Sequence, residues 1–511
     1  MQKKFLICIA SAIMVLGSCS KLDEKLNGEI NPSTAGGSGN VDALLIGSYN
    51  SFRGLFQDQG NLLALNEMST DALIGPTRGG DWDDNGAWRV LHTHRFDGDN
   101  VHVREVFAAL GGVNFATTDV LRFNPTAQQG AEARLLRALA QYELLDMYDQ
   151  VPYREPGESA ILPSKARKGV EALDYIVSEL TAIIPDLPNG PVTKANKNAA
   201  RVLLMKCYLN KGVYANRKAP TFAAADMQQV VTLADQVMAG PYSYAVNYFD
   251  NFAPNNDVIG KENIWTQENV GGVSYGPVRS HWHMTMHYNQ QPSGWNGFST
   301  LSDFYNKFEA SDVRRGVAYH YTSPNAPANP ANAVNVGFLI GQQYNMKTGE
   351  ALKDRTGAPL AFTPEVKIIE KGTNLEVTGI RAYKFPIDFQ FDDGGNVDND
   401  YPIFRLGDVK LMKAEALLRS GNAAEALVIV NDLRVNRGAS ALGGLTLDNM
   451  IDERAREVYL ETWRRQDLIR FGKFLLPMQE KPEQSDPKYL LFPIPNGQLA
   501  GNPNLTANPG Y

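Results

Sequence analysis

The chain has little cysteine and no second long hydrophobic run. Its 511 residues include three cysteines, of which Cys8 and Cys19 belong to the hydrophobic N-terminal segment. Cys207 stands in an apolar helical run, where a small buried residue is expected rather than a nucleophile. No later segment approaches the roughly 18 apolar residues that a membrane-spanning helix needs. The sequence therefore predicts neither a disulfide framework nor a spanning segment after the N-terminal run.

An excess of basic residues and the usual signatures of enzymes are also missing. The formal net charge is −7, with 56 acidic against 49 basic residues and no polybasic block, which argues against a nucleic-acid partner. There is no phosphate-cradling glycine loop and no His-Glu-x-x-His pair. A glycosidase would need two carboxylates, and no spacing singles out such a pair. We therefore predict a binding protein rather than an enzyme.

The first residues have the pattern of a bacterial lipoprotein signal. A basic start is followed by an apolar run from Phe5 to Val15 and by the sequence Leu16-Gly17-Ser18-Cys19. Secretory signals have this order of charge, apolar core and small residues, and a cysteine directly after Gly-Ser favours cleavage before Cys19 and acylation of that cysteine. The alternative is an ordinary signal with a chance cysteine. We expect a signal peptide over 1–18 and a lipidated, Gly/Ser/Asn-rich flexible tether over 19–40.

Hydrophobic periodicity divides the remainder, 41–511, into two helical blocks and an insertion. Residues 41–240 and 400–511 show helical spacing, whereas 241–399 are rich in Gly, Pro, Asn and aromatic residues. The insertion contains only short strand-like runs, Val366–Ile369 and Leu375–Ile380. Helices in the first block are predicted over Glu171–Ile184, Asn196–Tyr214 and Ala223–Met238.

A weak repeat connects the two helical blocks. Residues 207–212 and 416–421 each place a bulky residue four positions before a turn glycine, and the small Ala426 follows where paired helices would touch. Helix–turn–helix repeats of the tetratricopeptide type have this pattern, and stacking them leaves one face free for a partner. The predicted fold class is mainly α, with a tetratricopeptide-like helix-pair scaffold and a loop-rich, minor-β subregion for ligand binding.

Four of the six tryptophans lie in two polar segments, 78–89 and 281–298. A neutral sugar presents an apolar C–H face ringed by hydroxyls, so flat aromatic rings and directional polar groups suit it. The alternative is that each indole fills a gap between loop and scaffold. The predicted ligand-binding residues are Arg78, Asp81, Trp82, Trp88, Trp282, His283, Tyr288, Asn289 and Trp295.

Metal sites are not favoured by the spacing of possible ligands. His281, His283 and His287 could cluster, but Met284 occupies the place where a zinc-protease helix has glutamate. The oxygen-rich run Asp392–Asp400 could hold Ca²⁺, yet it lacks the EF-hand spacing and terminal glutamate, so a solvated turn is the alternative. We predict no catalytic metal and no cofactor, and leave a structural Ca²⁺ open.

Five stretches of the sequence resemble one family. They are Glu132–Tyr153, with Asp149 where a glycine is usual, Asn399–Ala416, Asn431–Ala439, Glu453–Gly472 and Leu491–Tyr511. Together they resemble the SusD/RagB outer-membrane lipoproteins of Bacteroidetes. The charged side chains within 453–461 suit i,i+3 and i,i+4 ion pairing on a helix, worth only about 0.2–0.5 kcal/mol for each pair when exposed. We also expect the C-terminal stretch to pack back onto the helices.

The resemblance implies a location and a partner as well as a fold. It implies a protein anchored by lipid in the outer membrane, facing the cell exterior, that caps a SusC-type TonB-dependent transporter and delivers captured glycan to it. Some members resemble partners of peptide transporters, so a peptide ligand is the alternative. The mixture of Trp, Asn, Gln and Asp in the two aromatic segments favours sugar.

Overall fold

Ten helices of seven or more residues lie in the part of the chain described by the computed structural model, which comprises residues 40–274, 276–321 and 333–511. Cys19, the signal and the tether lie outside the described residues. The ten helices are α1 (Val41–Ser51), α2 (Val101–Arg122), α3 (Ala127–Tyr148), α4 (Gly169–Ile183), α5 (Lys197–Ala215), α6 (Ala224–Met238), α7 (Leu406–Arg419), α8 (Ala423–Asn436), α9 (Leu447–Val458) and α10 (Arg464–Arg470). Shorter helices are Arg53–Gln57, Arg89–His92, Asn256–Ile259, Ser280–His283, Ser302–Tyr305 and Asn496–Gly501.

Successive helices pack against one another and form a helix-pair scaffold. Contacts run from α1 to α2 and onward to α6, and α7 packs on both α6 and α8 although the insertion separates α6 from α7 in sequence. The three helices predicted in the first block are confirmed to within two residues at each end. The fold is therefore mainly α with a tetratricopeptide-like scaffold, as predicted. None of the described helices combines the length and apolar character required to cross a bilayer.

Local sequence fixes the two ends of α3. Thr126 accepts a hydrogen bond from the Gln129 backbone N–H, and the Gln129 side chain accepts one from the Thr126 N–H, which together form a capping box. The helix ends at Asp149, whose φ of 60° is left-handed. That conformation explains why a glycine is usual here. In this chain the Asp149 carboxylate also accepts a hydrogen bond from Arg217 at 3.0 Å.

Nine short strands form four antiparallel sheets in the described residues. The strands are β1 (Gln150–Tyr153), β2 (Lys165–Lys168), β3 (Asn263–Gln267), β4 (Gly316–Val317), β5 (Val336–Leu339), β6 (Gly341–Gln342), β7 (Ala361–Phe362), β8 (Arg381–Tyr383) and β9 (Tyr401–Arg405). β1 pairs with β2, β3 with β9, β6 with β7, and β5 lies between β4 and β8. The β3–β9 pair joins the beginning of the insertion to its end, directly before α7.

Both strands predicted within the insertion were wrong. The backbone around Ile368 hydrogen bonds to Thr77 and to the Glu480 side chain rather than to a neighbouring strand. Leu375–Val377 is a 3-10 helix that follows Asn374 with a φ of 61°. Val366 packs with Ile74 and Leu301, and Val377 and Ile380 belong to the main core, so distant parts of the chain hold these runs without a strand.

The charged residues of α9 include the i,i+3 pair Glu453–Arg456, but they are buried, so the small energies of exposed helix pairs do not apply to them. Glu457 is 0% exposed and accepts hydrogen bonds from Arg314, Arg405 and Arg437 at distances of 2.8–3.3 Å. Although desolvation opposes ionisation, these three guanidinium groups hold the pKa of Glu457 well below its ordinary value. Glu453 and Glu461 extend the same network to the insertion, α8 and β9. These ion pairs therefore join scaffold and insertion.

The C-terminal segment packs back onto α3, as predicted. Phe492 is fully buried and donates its backbone N–H to Met147 O at 2.8 Å. Asn508 Nδ2 donates to Tyr148 O at 2.9 Å and to Phe492 O at 2.8 Å. The tail thus closes over the end of a scaffold helix.

Candidate functional site

The two tryptophan-containing segments meet and form one surface. Trp82 Nε1 donates to Trp295 O at 3.1 Å, and the Trp82 ring meets Phe298 edge-on with ring centroids 5.0 Å apart. Gly297 lies against the Trp82 ring so closely that a Cβ there would be 2.5 Å from two ring atoms. Residues separated by more than 200 positions in sequence are therefore in direct contact.

The buried Arg78 links the first segment to the second. The buried guanidinium donates from Nε to Gly297 O at 3.0 Å and from Nη2 to Ser299 Oγ at 2.8 Å. Its Nη1 faces Glu370 at 3.3 Å. Burial lowers the pKa of Arg78 to about 10, and the Glu370 carboxylate opposes that shift. Arg78 therefore positions the surface and is not itself exposed to a ligand.

Trp88 and Trp282 are also enclosed. Trp88 is 7% exposed, stacks on His102 with centroids 4.0 Å apart and donates from Nε1 to Asp84 at 2.6 Å. Trp282 is 0% exposed and donates from Nε1 to Asp392 at 2.8 Å. These two indoles fill gaps between loop and scaffold, so in this conformation neither offers a face to a sugar.

The accessible side of the surface carries three aromatic rings. Trp295 is 38% exposed, and Trp82 and Tyr288 are half-buried. The half-buried His283 supports Trp295 with ring centroids 5.2 Å apart, and its Nε2 lies 3.1 Å from Asp392 Oδ1. Exposed Trp295 is therefore backed by a second ring, which limits its freedom to move.

Polar groups border these rings. Asp81 is exposed, and the half-buried Asn289 donates from Nδ2 to Lys353 O at 2.9 Å. The Arg355 guanidinium lies 4.4 Å above the centre of the Tyr288 ring. Sequence reasoning missed Arg355, because nothing in its local pattern indicates that the fold brings it to Tyr288.

A buried hydrogen-bond chain supports Tyr288 and Asn289. The Asn289 backbone N–H donates to His287 Nδ1 at 3.0 Å, so Nε2 carries the proton and donates to Glu376 at 3.0 Å. Arg355 Nε donates to the same carboxylate at 2.7 Å. Burial opposes ionisation of Glu376, but the bonds from Arg355 and His287 outweigh it and lower the pKa of that carboxyl. Burial also lowers the pKa of His287.

The three histidines considered as metal ligands have separate surroundings. His281 is buried against Phe385, whereas His283 and His287 have different carboxylate partners. No group of three or more His, Cys, Asp or Glu side chains in the described residues is arranged to hold a metal ion.

The carboxylates in the oxygen-rich run are also used internally. Asp398 accepts the Gly271 N–H at 2.8 Å, and Asp400 accepts the Asn269 N–H at 2.7 Å. Asp392 accepts from the Trp282 indole, as described above. This segment therefore positions loops around the aromatic surface through its carboxylates.

One match to the Gly-x-Ser-x-Gly pattern of serine hydrolases occurs at residues 272–276. A nucleophile elbow requires a sharp turn directly between a strand and a helix. Here β3 ends at Gln267, and Ser274 Oγ accepts the Val270 N–H at 2.9 Å. Among the described residues no histidine is hydrogen bonded to Ser274. The match therefore lacks the geometry of a catalytic serine.

Comparisons with known proteins agree in both sequence and fold. The SusD family model matches residues 261–511. The starch-binding protein SusD of Bacteroides thetaiotaomicron is 27% identical over 436 residues, which cover 76% of this chain and 73% of that protein.

Solved structures share the fold across nearly the whole chain. Surface glycan-binding protein A from Bacteroides uniformis gives a TM-score of 0.68 at 17% identity, covering 92% of this chain and 98% of that one. A laminarin-binding SusD-like protein gives 0.66 at 19% identity, with 92% and 99% covered. The family model over residues 261–511 and the SusD relative therefore support a SusD/RagB family protein, and the solved structures share its fold.

Proposed function

We propose that the protein captures a glycan on the surface formed by Trp82, Tyr288 and Trp295. The observation that carries the proposal is the direct contact between the two aromatic segments, which places the exposed Trp295, on the segment that also carries Tyr288, beside Trp82. Sugar rings stack on such faces, while the carboxylate, amide and guanidinium groups supply directional hydrogen bonds to hydroxyls. Starch-binding and laminarin-binding relatives support this ligand class.

The geometry supports reversible binding of modest strength. An aromatic platform contributes roughly 1–3 kcal/mol to stacking with a nucleic-acid base, which is a reasonable guide to a sugar face. Two or three open platforms supply roughly 2–9 kcal/mol, and an association cost of about 4 kcal/mol or more leaves weak binding, with a dissociation constant of roughly 0.1 mM or above. Weak capture suits a protein that passes its ligand on.

The proposed role also includes an anchor and a transport partner. We propose that residues 1–18 are a signal peptide, that acylated Cys19 and the tether 19–40 attach the domain 41–511 to the outer membrane, and that the glycan passes to a SusC-type TonB-dependent transporter. Within the domain, the insertion 241–399 would carry Tyr288 and Trp295 between helical blocks 41–240 and 400–511, and Trp82 of the first block would complete the ligand surface. Cys19→Ala should abolish incorporation of labelled palmitate and release the protein from membranes. Unchanged labelling would contradict the anchor.

The ligand class is tested by calorimetric titration of the mature chain, carrying Cys19→Ser for solubility. The titrants are a panel of neutral polysaccharides, their oligosaccharides and a peptide digest. Saturable binding to one glycan class, with no heat from the digest, is the expected result. Binding to peptides alone, or to nothing in a panel that covers the common neutral glycans, would contradict the proposal.

A further inference from the structure

A second cavity lies apart from the aromatic surface. Its volume is about 620 Å³, and none of the nine predicted ligand-binding residues lines it. Small-molecule sites commonly measure roughly 300–1,000 Å³. The described residues lining the cavity include Tyr305, Arg315, Ile340, Gln342, Gln343 and Tyr344.

Arg315 is the only charged side chain among the described residues that line this cavity. The half-buried guanidinium lies 4.4 Å above the Tyr305 ring centre and donates from Nη2 to Tyr305 Oη at 2.6 Å. This stacking contact with the Tyr305 ring fixes the orientation of the planar guanidinium group. No other hydrogen bond from this guanidinium reaches a described residue, so Nη1 and Nε retain donors.

The acids nearest in sequence do not neutralise Arg315. Asp312 is fully paired with the neighbouring Arg314, whose Nε and Nη2 donate at 2.9 and 2.7 Å. Glu309 accepts hydrogen bonds from Arg434 and from the Ser440 N–H. Within the described residues Arg315 forms no ion pair. A cation in a cavity without a counter-charge favours an anionic ligand.

Two glutamines supply the complementary polarity. Gln342 Nε2 donates to Leu352 O at 2.9 Å, and Gln343 Nε2 donates to Gly341 O at 2.9 Å. Because the amide nitrogens are engaged, the Oε1 atoms are left as acceptors, and no described residue donates to them. Hydroxyl groups of a ligand are suitable donors. Tyr344, 39% exposed, and Ile340, 37% exposed, add apolar surface.

We propose that this cavity is a second carbohydrate site that binds a hexuronic acid unit. The sugar carboxylate would pair with Arg315, and its hydroxyls would donate to Gln342 and Gln343. A planar guanidinium matches a carboxylate with two parallel hydrogen bonds, which a neutral hydroxymethyl group cannot reproduce. The choice of a sugar among carboxylated ligands rests on the proposed glycan-binding function.

The segment 341–362 gives this choice a structural basis. Its first part, from Gln342 to Gly349, lines the cavity. Further along the segment, Lys353 O accepts a hydrogen bond from Asn289 Nδ2 and Arg355 covers Tyr288 at the aromatic surface. One segment therefore contributes to both surfaces. A glycan with an acidic unit is a ligand that uses both kinds of site.

The test compares glucuronic acid with glucose, which differ at one carbon, by ligand-observed saturation-transfer NMR on the mature chain carrying Cys19→Ser. Glucuronic acid should bind roughly tenfold or more tightly than glucose, and added salt should weaken it. Arg315→Gln should weaken glucuronic acid binding about tenfold or more. Arg315→Lys keeps the positive charge but not the planar guanidinium group, so it should lose less affinity for glucuronic acid. Thermal unfolding curves verify that both variants fold.

Trp295→Ala is the matched control, since it alters only the aromatic surface. It should leave glucuronic acid binding unchanged, just as Arg315→Gln should leave neutral oligosaccharide binding unchanged. Equal binding of glucose and glucuronic acid, or full retention by folded Arg315→Gln, would overturn the inference. Failure of the neutral glycan panel with retained, Arg315-dependent binding of glucuronic acid would instead contradict the proposed aromatic site and support this one.

Discussion

Replacing Glu457 by glutamine should destabilise the protein strongly. Glu457 is fully buried, and its carboxylate receives hydrogen bonds from Arg314, Arg405 and Arg437, which are at most 1% exposed. The amide keeps the size of the side chain but removes the negative charge and one acceptor, so three buried cations lose a shared counter-charge.

The magnitude follows from the burial of all four partners. Removing one member of a buried ion pair typically costs about 3–5 kcal/mol, because the partner charge remains desolvated. The remaining carboxylates of Glu262 and Glu461 still pair with Arg437 and Arg405, so we expect the lower half of that range, about 3–4 kcal/mol. Domains are typically stable by only about 5–15 kcal/mol, so the loss is a large fraction of the total.

Urea unfolding followed by circular dichroism measures this change. The midpoint should fall while the dependence on denaturant is unchanged, since the same surface unfolds. Asp235→Asn is the control, because Asp235 forms an ordinary surface pair with Lys413 and is 57% exposed in its side chain. It should cost at most about 1 kcal/mol. A loss below about 1 kcal/mol for Glu457→Gln would refute the reasoning.

Three further predictions concern the site and the core. Gly297→Ala should weaken glycan binding roughly tenfold or more, because the new Cβ would displace Trp82. Gly497→Ala is the control, since nothing lies within 4 Å of its Cβ, and it should leave binding unchanged. Equal affinities of the two variants by calorimetry would contradict this prediction. Glu376→Gln should weaken glycan binding by a smaller factor than Gly297→Ala does and leave folding unchanged, because Arg355 and His287 lose their shared carboxylate. Wild-type affinity in this variant would contradict the prediction. Burial, reinforced by Asp146, raises the pKa of Glu143 to about 8. Between about pH 4.3 and 8 the folded protein therefore holds a proton that the unfolded chain has released, and stability falls as the pH rises, by up to about 1.4 kcal/mol per pH unit. Glu143→Gln should flatten this part of the urea-unfolding pH profile, and an unchanged slope would contradict the assignment.

The scaffold could be predicted from the sequence because its signals are local. Helix periodicity and capping residues such as Asn196, which accepts the Ala199 N–H, lie within a few positions of the ends that they determine. The left-handed position at Asp149 could be located by comparison with the usual glycine. The insertion was predicted less well, since its backbone hydrogen bonds go to distant loops rather than to an adjacent strand.

The sequence singled out the two tryptophan-containing segments, but it left open whether they meet and did not predict the burial of each ring. Trp82 and Trp295 lie on the accessible side, whereas Trp282 is enclosed because Asp392, more than 100 positions away, receives its indole N–H. The same limitation applies to α9, where helical spacing indicates pairs within the helix, such as Glu453–Arg456, but not the arginines from distant segments that pair with Glu457. Non-local contacts decide exposure, and one sequence does not encode them in a visible pattern.

In the proposed function a glycan stacks on the exposed aromatic surface. The most direct measurement is calorimetric titration of wild type, Trp295→Ala and Phe115→Ala with the neutral oligosaccharide that binds wild type best. Phe115 on α2 is 55% exposed and outside the surface, so it controls for loss of an exposed ring. Trp295→Ala should weaken binding roughly 5- to 150-fold, because it removes a stacking contribution of about 1–3 kcal/mol. Phe115→Ala should bind the oligosaccharide as tightly as wild type. Unchanged affinity in folded Trp295→Ala would contradict the proposed function.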